Sequence, residues 1–113
     1  MKVIDVYEQY FEAECVWNTV PRRAAAVKLT ATSDDCMISY EVSISFFPHN
    51  DAEDFGISYD AYFSRVLCNE KGRRSKKKDT LYLSLITETA DVLANSAGGR
   101  IFWDKPLIPA RYA

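Results

Sequence analysis

The sequence is short of the residues from which catalytic and metal sites are usually built. It has one histidine, His49, and three cysteines with no CxxC pair. A Cys–His or Ser–His nucleophilic pair would have to use His49, and nothing marks a partner for it. Cys68, just before a basic stretch, would have a lowered pKa only if exposed beside Lys71, and reads more simply as a strand-end residue. Glycine is sparse, four in 113 residues. The one adjacent pair, in SAGGR, follows a helical pattern and reads as a helix stop, not a phosphate-cradling loop. Long apolar runs are missing too. In the opening stretch MKVIDVYEQYFEAE, Asp5 and Glu8 interrupt any candidate signal peptide or transmembrane helix. An odd, scattered set of Cys15, Cys36 and Cys68 without an export signal predicts reduced thiols and a cytoplasmic location. These absences together predict a chain that is not an enzyme, takes no cofactor or metal, and has no membrane partner.

His49 has carboxylates nearby, Asp51, Glu53 and Asp54 in HNDAED. Their spacing fits neither an EF-hand loop nor a zinc motif, and Gly56 falls at the wrong offset. The stretch reads as an acidic surface loop.

What the sequence does have is core material. Hydrophobic residues make up 48% and aromatics 13%, enough for one domain spanning 1–113 to fold unaided. In CMISYEVSISFF, Ile38, Tyr40, Val42, Ile44 and Phe46 alternate without exception with Ser39, Glu41, Ser43 and Ser45. That is a strand with one buried and one wet face, the mark of an antiparallel sheet. It is joined to AAAVKLTAT by the polar break SDD, as hairpin strands are. Near the N-terminus Tyr7, Phe11, Ala13, Cys15 and Trp17 fall on one parity, and Glu8, Glu12 and Glu14 on the other. Gln9 and Tyr10 break the pattern and Val3, Tyr7 and Tyr10 also suit a helix, but a strand is favoured over 3–17. NTVPRR supplies a turn after it. ISYDAYFSRVLCN fits either a helical stripe or a strand; its aromatics favour a fourth meander strand over 57–68.

A long helix is predicted over 80–96, with Asp79 as N-cap, Leu81, Leu85, Val92 and Leu93 on or near its apolar face, and Gly98 or Gly99 as left-handed C-cap. RIFW reads as a short closing strand, and 104–113, with two prolines, as an extended C-terminal tail. The resulting fold class is α+β: a mostly antiparallel sheet of four or five strands, its apolar side covered by the one helix.

Charge is distributed unevenly. Lys71, Arg73, Arg74, Lys76, Lys77 and Lys78 are six of the fourteen basic residues and fall in eight consecutive positions. The other eight basic residues face sixteen acidic ones, a balance of −8 against the +6 of Lys71 to Lys78, the basic part of the loop 71–79. A basic loop of this kind either stays solvated or attracts phosphates through counterion release and bidentate arginine contacts. Nuclear targeting would be a further use of it in a eukaryotic host. It contains no aromatic, so base stacking would have to come from elsewhere.

Two functions follow from this pattern. In the first, the six basic residues contact nucleic acid or a nucleoprotein surface. In the second, the chain is a protein-binding inhibitor or adaptor, comparable at class level to immunity proteins and inhibitors of nucleic-acid enzymes. Its acidic surface (Asp51, Glu53, Asp54) and its tyrosines (Tyr7, Tyr10, Tyr59, Tyr62) would then meet a basic protein partner. Self-association into a homo-oligomer, basic segment against acidic surface, is a third option.

Overall fold

The alternation of Ile38 to Phe46 organises the sheet. In the computed structural model, which describes residues 2–34, 36–47 and 61–103, these residues lie on strand β3 (Met37–Phe47), and all five are fully buried. β3 pairs antiparallel with β2 (Val20–Asp34) without a register break, from Ala24 opposite Phe47 to Asp34 opposite Met37. The unbroken register sets Ala25, Val27, Leu29 and Ala31 beside Phe46, Ile44, Val42 and Tyr40 on one face. Outside these two lie β1 (Lys2–Trp17) against β2 and β4 (Ala61–Lys71) against β3. A short β5 (Arg100–Phe102) pairs with Glu12–Glu14 of β1. The order is β4-β3-β2-β1-β5, antiparallel throughout. Helix α1 (Lys76–Ser96) covers the apolar face, so the fold is α+β as expected.

β1 is a strand over its whole length, and its imperfect parity has a cause. The β1–β2 register shifts between Asp5 and Tyr7 and again between Glu12 and Cys15. At the first irregularity Val6 and Tyr7 are buried in succession; a bulge adds a residue and resets which face its successors take. The turn after β1 is tighter than NTVPRR suggested. Only Asn18 and Thr19 are in it, Trp17 pairs with Val20, and Val20 to Arg23 belong to β2. Asn18 and Thr19 have φ of 50° and 65°, the paired left-handed conformation whose twist matches the strands of a two-residue hairpin.

The helix corrects the sequence reading at its start and on its face. It begins at Lys76, not Thr80, and its N-cap is Ser75, whose hydroxyl accepts the Lys78 N–H at 3.1 Å. Asp79 is inside the helix and wholly buried, so Lys76, Lys77 and Lys78 are its first turn and not part of a loop. The end is as read: Gly98 has φ +72°, and the Gly99 and Gly98 N–H groups donate to the Ala94 and Asn95 carbonyls at 2.7 and 3.0 Å. This double closure is a Schellman motif. The residues against the sheet are Asp79, Leu83, Ile86, Ala90, Leu93 and Ala94. Leu81, Leu85 and Val92, assigned to the core face by their hydrophobicity, are 54%, 41% and 44% exposed. The buried stripe runs through a carboxylate at its N-terminal end, and hydrophobicity alone therefore selects the wrong side.

β4 begins within the expected fourth strand and extends beyond it to Lys71; residues 57–60, the HNDAED stretch and the tail 104–113 lie outside the described residues. No helix among the described residues is long and apolar enough to cross a membrane.

The turn yields a test. A β-branched residue in the left-handed region costs about 1–2 kcal/mol that glycine does not. Thr19→Gly, completing an Asn-Gly turn, should raise the free energy of urea unfolding by about 1 kcal/mol; a destabilised variant would mean the hairpin does not form this turn.

Candidate functional site

The basic segment is divided by the fold. β4 ends at Lys71, and the Gly72 N–H donates to the Cys36 carbonyl at 2.7 Å, turning the chain across the end of the sheet. Arg74 then points inward: its Nη2 is 2.6 Å from Oδ2 of Asp79, and its side chain is only 13% exposed. The other carboxylate oxygen of Asp79 accepts the Tyr40 hydroxyl at 2.6 Å. A carboxylate removed from water is tolerated only when paired and hydrogen-bonded, and Asp79 is both. Arg74 is therefore the counter-ion of a buried group in its own chain. Lys78 reaches Glu70 of β4 at 3.5 Å. Lys71, Arg73, Lys76 and Lys77 have exposed side chains at this end of the molecule. The sequence grouped six basic residues as one surface; the structure turns Arg74 inward onto Asp79, sets Lys78 against Glu70, and leaves the other four exposed.

Tyr40 also stacks on Tyr82, ring centroids 4.4 Å apart. Burial, reinforced by the Asp79 hydrogen bond and charge, pushes the Tyr40 hydroxyl far above the usual phenol range. The Tyr82 hydroxyl is raised to about 12, first by its hydrogen bond with Cys68 and then by burial. Burial alone raises Tyr7 to about 12.

The opposite face of the sheet carries a second arrangement, a trough of about 420 Å³. Its rows follow from strand register. Tyr10, Ala26, Ser45 and Tyr62 are consecutive partners across β1, β2, β3 and β4. Glu8, Lys28, Ser43 and Ser64 form the next row, and Asp5, Thr30, Glu41 and Val66 the third. Ala26, Ser43 and Ser45 on the two central strands are small, and Tyr10 and Tyr62 stand on the outer strands at either side of them. Four strands span about 14 Å, wide enough for an extended segment or a helix about 10–12 Å across.

The trough is acidic. Asp5, Glu8 and Glu41 face one ammonium, Lys28. Lys28 Nζ is 3.2 Å from Asp5 and 3.8 Å from Glu8, and the Thr30 hydroxyl donates to Asp5 at 3.3 Å. Burial would lower the Lys28 pKa, but Asp5 and Glu8 outweigh it and hold the ammonium above its ordinary value. Tyr10 donates to Glu8 at 3.1 Å and Tyr62 to Glu41 at 3.4 Å. The Tyr10 hydroxyl is raised by burial and by Glu8, and its ring meets Phe47 edge-on at 6.4 Å.

Of the tyrosines singled out in the sequence, Tyr10 and Tyr62 are on this face and Tyr7 is in the core. Tyr59, His49, Asp51, Glu53 and Asp54 lie outside the described residues. Asp5, Glu8, Lys28, Thr30 and Glu41 were not recognised as a group. Parity placed Glu8 and Glu41 on the wet faces of their strands, but their convergence needs the register of four strands. Among the described residues no group of three His, Cys, Asp or Glu side chains is placed to hold a metal ion. Compared with protein-family models, with curated proteins and with solved structures, the chain matches none of them.

The buried tyrosines set the alkaline behaviour. A phenol whose pKa is raised on folding contributes stability that is full below its unfolded value near 10 and lost as pH rises toward the folded value. Unfolding free energy should therefore fall from about pH 10 upward. Tyr40→Phe should cost about 2 kcal/mol at pH 7, the scale of a hydrogen bond to a charged group, and flatten that fall. Urea titrations at neutral and alkaline pH measure both; an unchanged slope would remove Tyr40 as its source.

Proposed function

We propose that the chain is a protein-binding module, an adaptor or inhibitor, whose acidic, tyrosine-walled trough receives a basic segment of a partner. The observation that carries this reading is the trough itself: three carboxylates against one ammonium, with a floor of Ala26, Ser43 and Ser45 between Tyr10 and Tyr62. Tyrosine supplies contact area at low conformational cost, and aromatic side chains anchor interfaces. The carboxylates already hold one cation, Lys28, so an incoming arginine or lysine meets groups of matching chemistry. Charge complementarity would also raise the association rate and make it dependent on salt.

The test is calorimetric titration with an arginine-rich peptide at low and physiological salt. Binding should weaken with salt, and Asp5→Asn, Glu8→Gln and Glu41→Gln together should reduce affinity at least about tenfold. Ser45→Trp, which fills the floor without altering charge, should block the same peptide. A peptide that binds both variants as it binds the wild type uses another surface, and the reading fails.

Nucleic-acid binding is kept as a second reading, supported by the exposed Lys71, Arg73, Lys76 and Lys77 at one end of the molecule. Four phosphate contacts would weaken affinity about a hundredfold between 50 and 200 mM salt. Alanine at those four positions leaves the Arg74–Asp79 pair in place. Fluorescence anisotropy with labelled DNA and RNA should then show a steep salt dependence that the fourfold variant lacks; absence of binding at low salt removes this reading.

A further inference from the structure

The outward side of α1 carries an apolar stripe that nothing among the described residues covers. Leu81, Leu85 and Val92 lie within 40° of one another around the helix at 100° per residue, and all three are exposed. With Glu88 and Asn95, both exposed, they recur at spacings of four, three, four and three, the a/d pattern by which two helices pack. The residues against the sheet, Asp79, Leu83, Ile86, Ala90 and Leu93, occupy the opposite positions of the same heptads. The helix is two-sided, and among the described residues one side has no partner.

We propose that two copies of the chain associate through this side of α1, with the helices antiparallel and Leu81 of each copy against Val92 of the other. Three observations select a second copy and this orientation. The first is position. Leu81 and Val92 are centred between residues 86 and 87, and the midpoint of the helix is residue 86. An antiparallel pair about that centre overlaps along nearly the whole helix length, about 31 Å.

The second is layering. The same centre places Leu85 against Glu88 of the other copy, so the layers of the stripe join an a position to a d position, as antiparallel packing requires. The third is charge. The first turn of α1 holds Lys76, Lys77 and Lys78, at the end where the helix dipole is positive, and its last turn holds no basic residue. That placement is unfavourable in an isolated helix. In the antiparallel pair each lysine-bearing end lies beside the carbonyl end of the other helix, and the two dipoles oppose.

Glu88 makes the association weak. It stands at the centre of the seam against Leu85 of the other copy, and three apolar side chains per copy fall short of a standard interface. The dimer is therefore reversible and concentration-dependent, and it leaves the sheet face of each copy open. It does not depend on what the trough binds.

Sedimentation velocity from low to high micromolar concentration tests the proposal. The wild type should shift from monomer toward dimer, Glu88→Leu should tighten the dimer at least tenfold, and Leu85→Glu should weaken it at least tenfold. Both substitutions fall on exposed positions, and circular dichroism verifies that they leave the fold intact. Orientation is read by mixing Leu81→Cys and Val92→Cys copies in a Cys36→Ser background. A preference for the mixed disulfide is expected, because Leu81 of one copy lies about 16 Å along the axis from Leu81 of the other. A chain that stays monomeric at every concentration, even with Glu88→Leu, overturns the proposal. So does a dimer that Leu85→Glu leaves intact, or a preference for the Leu81→Cys homodisulfide.

Discussion

Asp79 is the residue on which the arrangement depends. It is fully buried, one oxygen on the Tyr40 hydroxyl of the central sheet and the other on the Arg74 guanidinium. A carboxylate in that place cannot move without exposing an uncompensated charge. It therefore fixes the rotation of α1 about its axis. With Asp79 inward, Leu83, Ile86, Ala90 and Leu93 follow it onto the sheet, and Leu81, Leu85 and Val92 are carried outward. The same contact draws Arg74 out of the basic run and sets the turn between β4 and the helix.

The extent to which this was legible in the sequence varies by element. β3 was read fully because strict alternation has one interpretation. The helix end was equally clear, since SAGG offers left-handed closure and little else. The start was misread because KKKD, rich in charge, resembles a loop, while Ser75 is a good cap one residue earlier. The helix face was misread for a related reason: with Asp79 taken as the N-cap the periodicity is counted without it, and only its contact with Tyr40, 39 residues away, shows which side faces the sheet. The trough was hidden more deeply. Asp5, Glu8, Lys28, Glu41 and Tyr62 come from four strands, and the bulge between Asp5 and Tyr7 resets the phase of one of them. Two-periodicity gives the face of each residue, but not which residues stand side by side.

The charge asymmetry that first set the basic segment apart from an otherwise acidic chain now has a spatial form. One end of the molecule carries Lys71, Arg73, Lys76 and Lys77, and the face of the sheet away from the helix carries Asp5, Glu8 and Glu41. Part of the positive charge is structural, in Arg74, and part is held by Glu70. The trough and the apolar helix stripe are separate surfaces, on opposite sides of the sheet. A protein-binding role for the trough and self-association through the helix are therefore compatible, and a dimer would display two troughs facing away from its seam.

The most direct test of this account is a double-mutant cycle between Arg74 and Asp79, by urea unfolding of Arg74→Met, Asp79→Leu and the double variant. If the pair is the buried counter-charge that holds the helix to the sheet, each single substitution costs about 3 kcal/mol and the double costs well under the sum. Single costs within about 0.5 kcal/mol of zero, or strict additivity, would contradict it. Arg74 would then return to the surface set of basic residues, and the rotation of the helix would need another cause.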